Sequence, residues 1–202
     1  MKKFMFALFA LSFAQSVWAY GIGMSTYPLS PDKGLISGEL TGIMSNGTGM
    51  GIQGRYTHKL NQGLGVDGGI GLASGSRSAR LFAGIDYEIF PDYAKQPRFS
   101  MKGTFEYASE FSNGREVFTV APTISKGFNF WGQEAFPFIA LPVGLSLNAD
   151  TRTYLPTMAV ALGATTKLPV ETFKDMSANM ELDLGLRNSF TAVFVGLSYP
   201  IN

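Results

Sequence analysis

Apolar and polar positions alternate along most of this chain with a period of two. Met50, Ile52, Gly54, Tyr56, His58 and Leu60 fall on one side, and Gly51, Gln53, Arg55, Thr57 and Lys59 on the other. Successive side chains of a strand point to opposite faces, so this period predicts strand rather than helix. The pattern recurs. Leu64, Val66, Ile70 and Leu72 oppose Gly65, Asp67, Gly69 and Gly71; Leu81, Ala83, Ile85, Tyr87 and Ile89 oppose Arg80, Gly84, Asp86 and Glu88. Phe99, Met101, Phe105 and Tyr107 oppose Ser100, Lys102, Thr104 and Glu106, and Met180, Leu182, Leu184 and Leu186 oppose Glu181, Asp183, Gly185 and Arg187. Ten strands follow, at 34–44, 49–60, 63–73, 79–90, 98–109, 116–127, 136–147, 153–167, 178–188 and 191–201. Asn46-Gly47 and Asn113-Gly114 carry hairpin-turn chemistry between strands. The segment 168–177, with Glu171, Lys174 and Asp175, could form a turn of helix. Short links and no linker-like tract predict one all-β domain, an antiparallel up-and-down barrel. Eight or twelve strands stay open, because 20–31 and 128–138 are ambiguous.

The N-terminus reads as an address rather than structure. Lys2 and Lys3 precede an apolar run from Phe4 to Ala14, and Val17-Trp18-Ala19 suits a cleavage site. That run is too short to cross a bilayer as a helix, which takes about 20 residues. The expected organisation is a signal peptide over 1–19, cleaved after Ala19, a segment 20–33, and a barrel domain over 34–202. The segment 20–33 is a short lead-in, a plug or part of an extra strand.

Composition sharpens the picture. Charged residues are 15% of the chain, against about 25% in ordinary soluble domains, and no later stretch is apolar for long enough to be a membrane helix. A membrane protein of this kind must span as strands, with closure pairing every backbone group. A net charge of +1 leaves no basic footprint for nucleic acid. With no cysteine, neither disulfides nor thiolate metal sites are available. No metal and no cofactor is expected.

Charge placement suggests which face meets what. Glu39, Arg55, Asp67, Arg80, Asp86, Lys102, Glu106, Glu181, Asp183 and Arg187 form a nearly balanced set on the polar faces, together with Lys59, Glu88 and Lys167. Such a set suits a barrel lumen, where an unpaired charge is costly. Gly51, Gly65, Gly69, Ala159, Ala161 and Gly163 would widen that lumen, and Phe82, Phe138 and Phe194 would partly refill it. The apolar faces carry only His58 and Lys126 as ionisable groups. Phe90, Tyr93, Phe128, Phe130, Trp131, Phe136, Phe173 and Tyr199 gather at one end of the strands, and Tyr107, Phe111, Tyr154 and Phe190 at the other. Two aromatic girdles around an aliphatic band fit a transmembrane barrel.

Candidate chemistry is sparse. Gly49-Met50-Gly51-Ile52-Gln53-Gly54 spells a dinucleotide fingerprint, but inside an alternating strand with no helix following. Asn46-Gly47-Thr48 is a formal glycosylation sequon that reads more simply as a turn. His58, the lone histidine, would need Ser, Asp or Glu converging on it to act as a base. No catalytic residue is assigned.

The chain's end carries the most specific motif. In Phe194-Val195-Gly196-Leu197-Ser198-Tyr199-Pro200-Ile201, a glycine is followed by hydrophobic or aromatic residues three and five positions on. Gly196, Tyr199 and Ile201 thereby resemble the C-terminal signal that hands outer-membrane proteins to their insertion machinery. Ile201 and Asn202 stand where the family usually ends on an aromatic. The mature chain as a whole resembles the small Gram-negative outer-membrane barrels, of porin-like and OmpA-barrel-like type. The resemblance implies an outer-membrane location with both chain ends in the periplasm. It implies outer-membrane lipids as surroundings, and periplasmic chaperones and the insertion machinery as partners during biogenesis. The expected role is membrane-structural, or a narrow pore for small solutes or ions with a salt-bridged lumen. The alternatives are a soluble periplasmic lipocalin-like barrel holding an apolar ligand and a membrane-embedded hydrolase.

Overall fold

The computed structural model describes residues 26, 28–45, 49–73, 77–110, 113–130 and 132–201. Strands β1 (Gly34–Ile43), β2 (Gly49–Lys59), β3 (Leu64–Ala73), β4 (Arg77–Phe90), β5 (Arg98–Glu110) and β6 (Asn113–Ser125) form an antiparallel meander. A small hairpin, β7 (Phe128–Phe130) with the start of β8 (Gln133–Ala140), extends past the barrel wall. Then come β9 (Val143–Asn148), β10 (Thr153–Lys167), β11 (Ser177–Arg187) and β12 (Ala192–Ile201). A single 3-10 turn at Glu171–Phe173 occupies the link where helix-like chemistry was read. β12 pairs with β1 along its whole length, closing the sheet on itself.

Strands β8 and β9 are one strand of the barrel with a gap in its ladder. Both lie between β6 and β10, and the pairings on the two sides of the gap keep one register. Pro142 has no N–H to give, yet its carbonyl accepts the Ala159 N–H at 2.9 Å and the Leu141 N–H donates to the Pro122 carbonyl at 3.0 Å. Among the described residues the result is a closed ten-stranded antiparallel up-and-down barrel. The predicted strands are met within a few residues at each end, with one relocated turn. Asn113 and Gly114 belong to the ladder, opposite Glu110 and Ser109. Asn46 and Gly47 lie outside the described residues.

The patterning is inside out. Ile36, Leu40, Ile52, Ile70, Leu81, Ile85, Phe105, Phe118, Val195 and Leu197 are all exposed on the outer wall, Leu40 by 64% and Ile52 by 60%. The buried side chains point inward and most are polar. A soluble barrel with an apolar interior needs the reverse, so the lipocalin-like expectation does not fit. An apolar outer band over a polar interior is the arrangement of a small outer-membrane barrel. Tyr56, Tyr87, Phe90, Tyr93, Phe128, Phe173 and Tyr199 are exposed near the end that holds the chain termini, and Tyr107 and Tyr154 near the far end. Phe136 and Phe190 leave the proposed girdles: Phe136 lines a cavity inside the mouth, and Phe190 packs on the buried Ile43, Ala192 and Phe194. Phe111 and Trp131 lie outside the described residues.

Slips in the ladder change which face a residue meets. Between Met158 and Ala159 the register with β11 slips by one, which sets Arg187 opposite outward-facing Met158 rather than in the lumen. Arg187 is exposed at the far rim, a correction to its expected place in the interior. A second slip, between Glu88 and Phe90, turns Phe90 outward against Phe99, their ring centroids 6.4 Å apart. Glu116 also corrects the expectation for the outer wall. It shares the register of Phe118 and sits between Tyr107 and Leu147 at the far end.

Candidate functional site

The lumen holds one connected polar network on its β1–β5 side. Arg55 reaches from β2 to Glu39 on β1 (Nε to Oε1, 3.1 Å) and to Asp67 on β3 (Nη1 to Oδ2, 3.1 Å). Asp67 also accepts from Lys102 of β5 at 3.1 Å. Arg80 donates to Glu106 and to the Gln53 carbonyl oxygen, each at 2.8 Å, and the Gln53 amide donates back to Glu39. Gln53 therefore bridges two ion-pair groups. Its place on the polar face of β2 was legible, but its bridging role depends on side-chain reach across strands. Glu181 lies within electrostatic reach of Arg55, and both Glu181 and Asp183 are buried inside β11.

Phe82 lies under this network. The Arg55 and Arg80 guanidinium carbons stand 4.9 and 4.3 Å from its ring centroid, within cation–π range. Its ring covers Gly69, its direct cross-strand partner. A Cβ at Gly69 would lie 2.5 Å from Phe82 Cζ and collide with the Gly54 carbonyl. Phe138 covers its own partner Gly163 in the same way. Gly69 and Gly163, two of the glycines expected to widen the lumen, are instead the seats of its aromatic rings. Gly84 similarly makes room for Asp67 and Lys102, and Gly196 for Glu39 and Asn179.

Gly196 thus serves the lumen, whereas the other two residues of the terminal motif do not. Tyr199 is exposed on the outer wall opposite Ile36, and Ile201 pairs with Gly34 at the rim.

A second cluster sits nearer the terminal end. Arg98 binds both Asp86 and Glu88, and Lys59 approaches Glu88 at 3.8 Å. Arg98 was absent from the predicted network although it opens a predicted strand. Arg115 was missed because the strand, which begins at Asn113, was expected to begin at 116. At the far end it meets Ser146, the Asn188 carbonyl at 3.4 Å and the Phe190 ring at 5.9 Å. Outside the spanning strands, Lys126 caps the loop 91–97 by binding Asp92 and the Ala94 and Gln96 carbonyls. Burial pushes the Asp92 carboxyl up, but the hydrogen bond from Lys126, the Gly127 N–H and the Lys126 charge hold it below its ordinary value.

The mouth at this end is partly roofed. Thr26 is buried and donates to the Phe136 carbonyl at 2.8 Å, with Thr165 Oγ1 at 3.4 Å. Residues 28–33 lead back to β1, and the Asp32 N–H reaches the carbonyl of Lys59 on β2 at 2.8 Å. This strap crosses the opening and leaves a cavity of about 370 Å³ between itself and β2–β6. His58 stacks on Tyr56, with centroids 6.1 Å apart, and lines the same cavity. Among the described residues no group of three histidines or acids is placed to hold a metal.

No protein-family model matches the chain, and no curated protein matches it. Solved structures do share its general shape. A de novo designed transmembrane β-barrel is 14% identical with a TM-score of 0.42, covering 86% of this chain and 99% of its own. The N-terminal β-barrel domain of Pseudomonas aeruginosa OprF is 10% identical with a TM-score of 0.36, covering 86% and 100%. Ail, the attachment invasion locus protein of Yersinia pestis, solved with the heparin analogue sucrose octasulfate, is 10% identical with a TM-score of 0.30 over 86% and 100%. At such scores none of these likenesses carries a function across.

Proposed function

We propose that this chain is an exported outer-membrane barrel with a closed lumen, serving a membrane-structural role rather than conducting solutes. The observation that carries this reading is the dryness of the middle of the barrel. The side chains of Arg55 and Glu39, which a water-filled pore would leave wet, are 1% and 2% exposed. Phe82, Phe138 and Phe194 are buried in the same interior. Ions so enclosed are tolerable only when paired and hydrogen-bonded, and this network supplies both. The apolar outer wall supports a bilayer as the surroundings. The reading assigns no reaction to the chain.

The test is cell fractionation followed by gel mobility with and without boiling in SDS, then planar-bilayer recording. The expected outcome is an outer-membrane band that shifts on heating, begins at Tyr20, and gives no steady conductance. A soluble, unshifted protein would overturn the membrane reading. Stable conductance steps from the shifted species would overturn the closed lumen and leave a narrow pore.

A further inference from the structure

We propose that the cavity under the N-terminal strap is a binding site for a small neutral polyhydroxylated solute, of saccharide type, reached from the end that holds the chain termini. Its volume of about 370 Å³ falls within the range of small-molecule sites, roughly 300–1,000 Å³. The site goes beyond the structural role proposed above, since a ligand can seat in the mouth without crossing the closed lumen behind it.

The charges on the wall decide the class of ligand. Arg98 is shared by Asp86 and Glu88, Lys59 leans on Glu88, and Lys102 holds Asp67. Asp92, at the rim, is matched by Lys126. Each charge has a counter-charge within reach, so an anion or a cation would have to break a standing pair to bind. A neutral ligand would not. Hydrogen-bonding capacity nevertheless remains, because each carboxylate offers about four lone-pair sites and the guanidinium five N–H donors. Ser125 lines the wall as well. Planar charged groups that remain paired while using their other lone pairs and protons match adjacent hydroxyls, each of which both donates and accepts.

The rest of the wall is apolar. Pro28 and Leu29 of the strap and Phe136 of β8 face the same space. A saccharide ring presents C–H faces between its hydroxyl edges and can use both kinds of wall. An acyl chain cannot, since it would strip water from Arg98, Glu88 and Lys59 without replacing it.

The chain has no cysteine, so a Ser125→Cys variant carries one thiol, on a buried position of the cavity wall. Its rate of modification by a small maleimide is measured on the refolded, heat-shifting barrel, with and without sucrose. The expected result is about tenfold protection at nine-tenths occupancy, and none from sodium gluconate or choline chloride at equal concentration. Calorimetric titration of the unmodified barrel with sucrose should give matching saturation. Protection by gluconate or choline but not sucrose would overturn the neutral class. A heat-shifting barrel that neither protects its thiol nor takes up sucrose in the titration would overturn the site. A protein without the heat shift would instead count against the barrel reading itself.

Discussion

Arg55→Met is the substitution that best separates a dry lumen from a wet one. The guanidinium bonds Glu39 and Asp67, each at 3.1 Å, and packs over Phe82, with its side chain 1% exposed. Removing one partner of a buried ion pair typically costs about 3–5 kcal/mol, because the other charge is left uncompensated. Here the loss is cushioned: Asp67 keeps Lys102, and Glu39 keeps the Gln53 amide. Glu181, however, also loses the electrostatic attraction of Arg55. The low end of the range, about 3 kcal/mol, is therefore expected. Adding Glu39→Gln to Arg55→Met removes the stranded charge, and the double variant should recover about 2 kcal/mol of that loss. The assay is equilibrium urea unfolding from lipid vesicles, followed by the heat-shifting band. If Arg55→Met costs under about 1 kcal/mol and the cost fades with salt, the pairs behave like solvent-exposed ones. The lumen is then wet, and the closed-barrel reading fails.

Three further outcomes are expected. Ile52, on β2 between Leu40 and Leu72 on the outer wall, should tolerate arginine poorly, at up to about 2–4 kcal/mol; if Ile52→Arg reaches the heat-shifting membrane form as well as the unmodified protein, the outer wall does not face lipid. Gly69→Ala should cost about 1–3 kcal/mol through overpacking against Phe82 and the Gly54 carbonyl, whereas Gly38→Ala, with open space around its Cβ, should stay within about 0.5 kcal/mol; equal urea midpoints would contradict the ring-on-glycine packing. The Asp92 carboxyl is held below its ordinary value, so its contribution to anchoring loop 91–97 is fully present above the usual aspartate range and is lost as pH falls through the lowered value. Protease protection of that loop should therefore persist through mildly acidic pH, and loss of protection already near neutrality would rule out the Asp92 anchor.

The alternation made the barrel legible because a bilayer and a packed lumen demand opposite chemistry from the two faces of each strand. Residues such as Ile52 and Arg55 could be placed by parity alone. Parity fails where the ladder slips. Arg187 reads as luminal until the bulge beside Met158 turns it outward, and nothing in the local sequence announces that bulge. Turns were the other weak point. Asn113-Gly114 has the chemistry of a hairpin turn, yet the ladder runs through it, which brings Arg115 into a strand assumed to begin after it. Connectivity inside the lumen was not legible either. The sequence gives no measure of how far Arg80 reaches towards Gln53, or that Phe82 would lie on Gly69 rather than beside it. Both depend on which residues the barrel's register sets opposite each other.

That register also explains why the interior divides into two layers. Glu39, Arg55, Asp67 and Arg80 belong to four consecutive strands and meet at mid-depth, where glycines opposite them admit long side chains. Across the lumen, β6, β8, β10 and β12 contribute Ala121, Thr123, Ala140, Ala161, Thr165 and Ser198, all small and buried. Small residues facing long ones fill a closed cross-section without strain. Nearer the terminal end the long side chains turn aside to pair with one another, and Arg98 draws Asp86 and Glu88 to the wall. The space they vacate is the cavity, roofed by a strap that is anchored to β8 and β10 rather than to the charged strands. Closure at mid-depth and the recess at the mouth therefore share Asp67, which Lys102 holds independently of Arg55, and otherwise rest on different residues. Loosening the first by Arg55→Met should leave protection of a thiol at Ser125 intact, and joint loss would mean that the interior is a single cooperative unit.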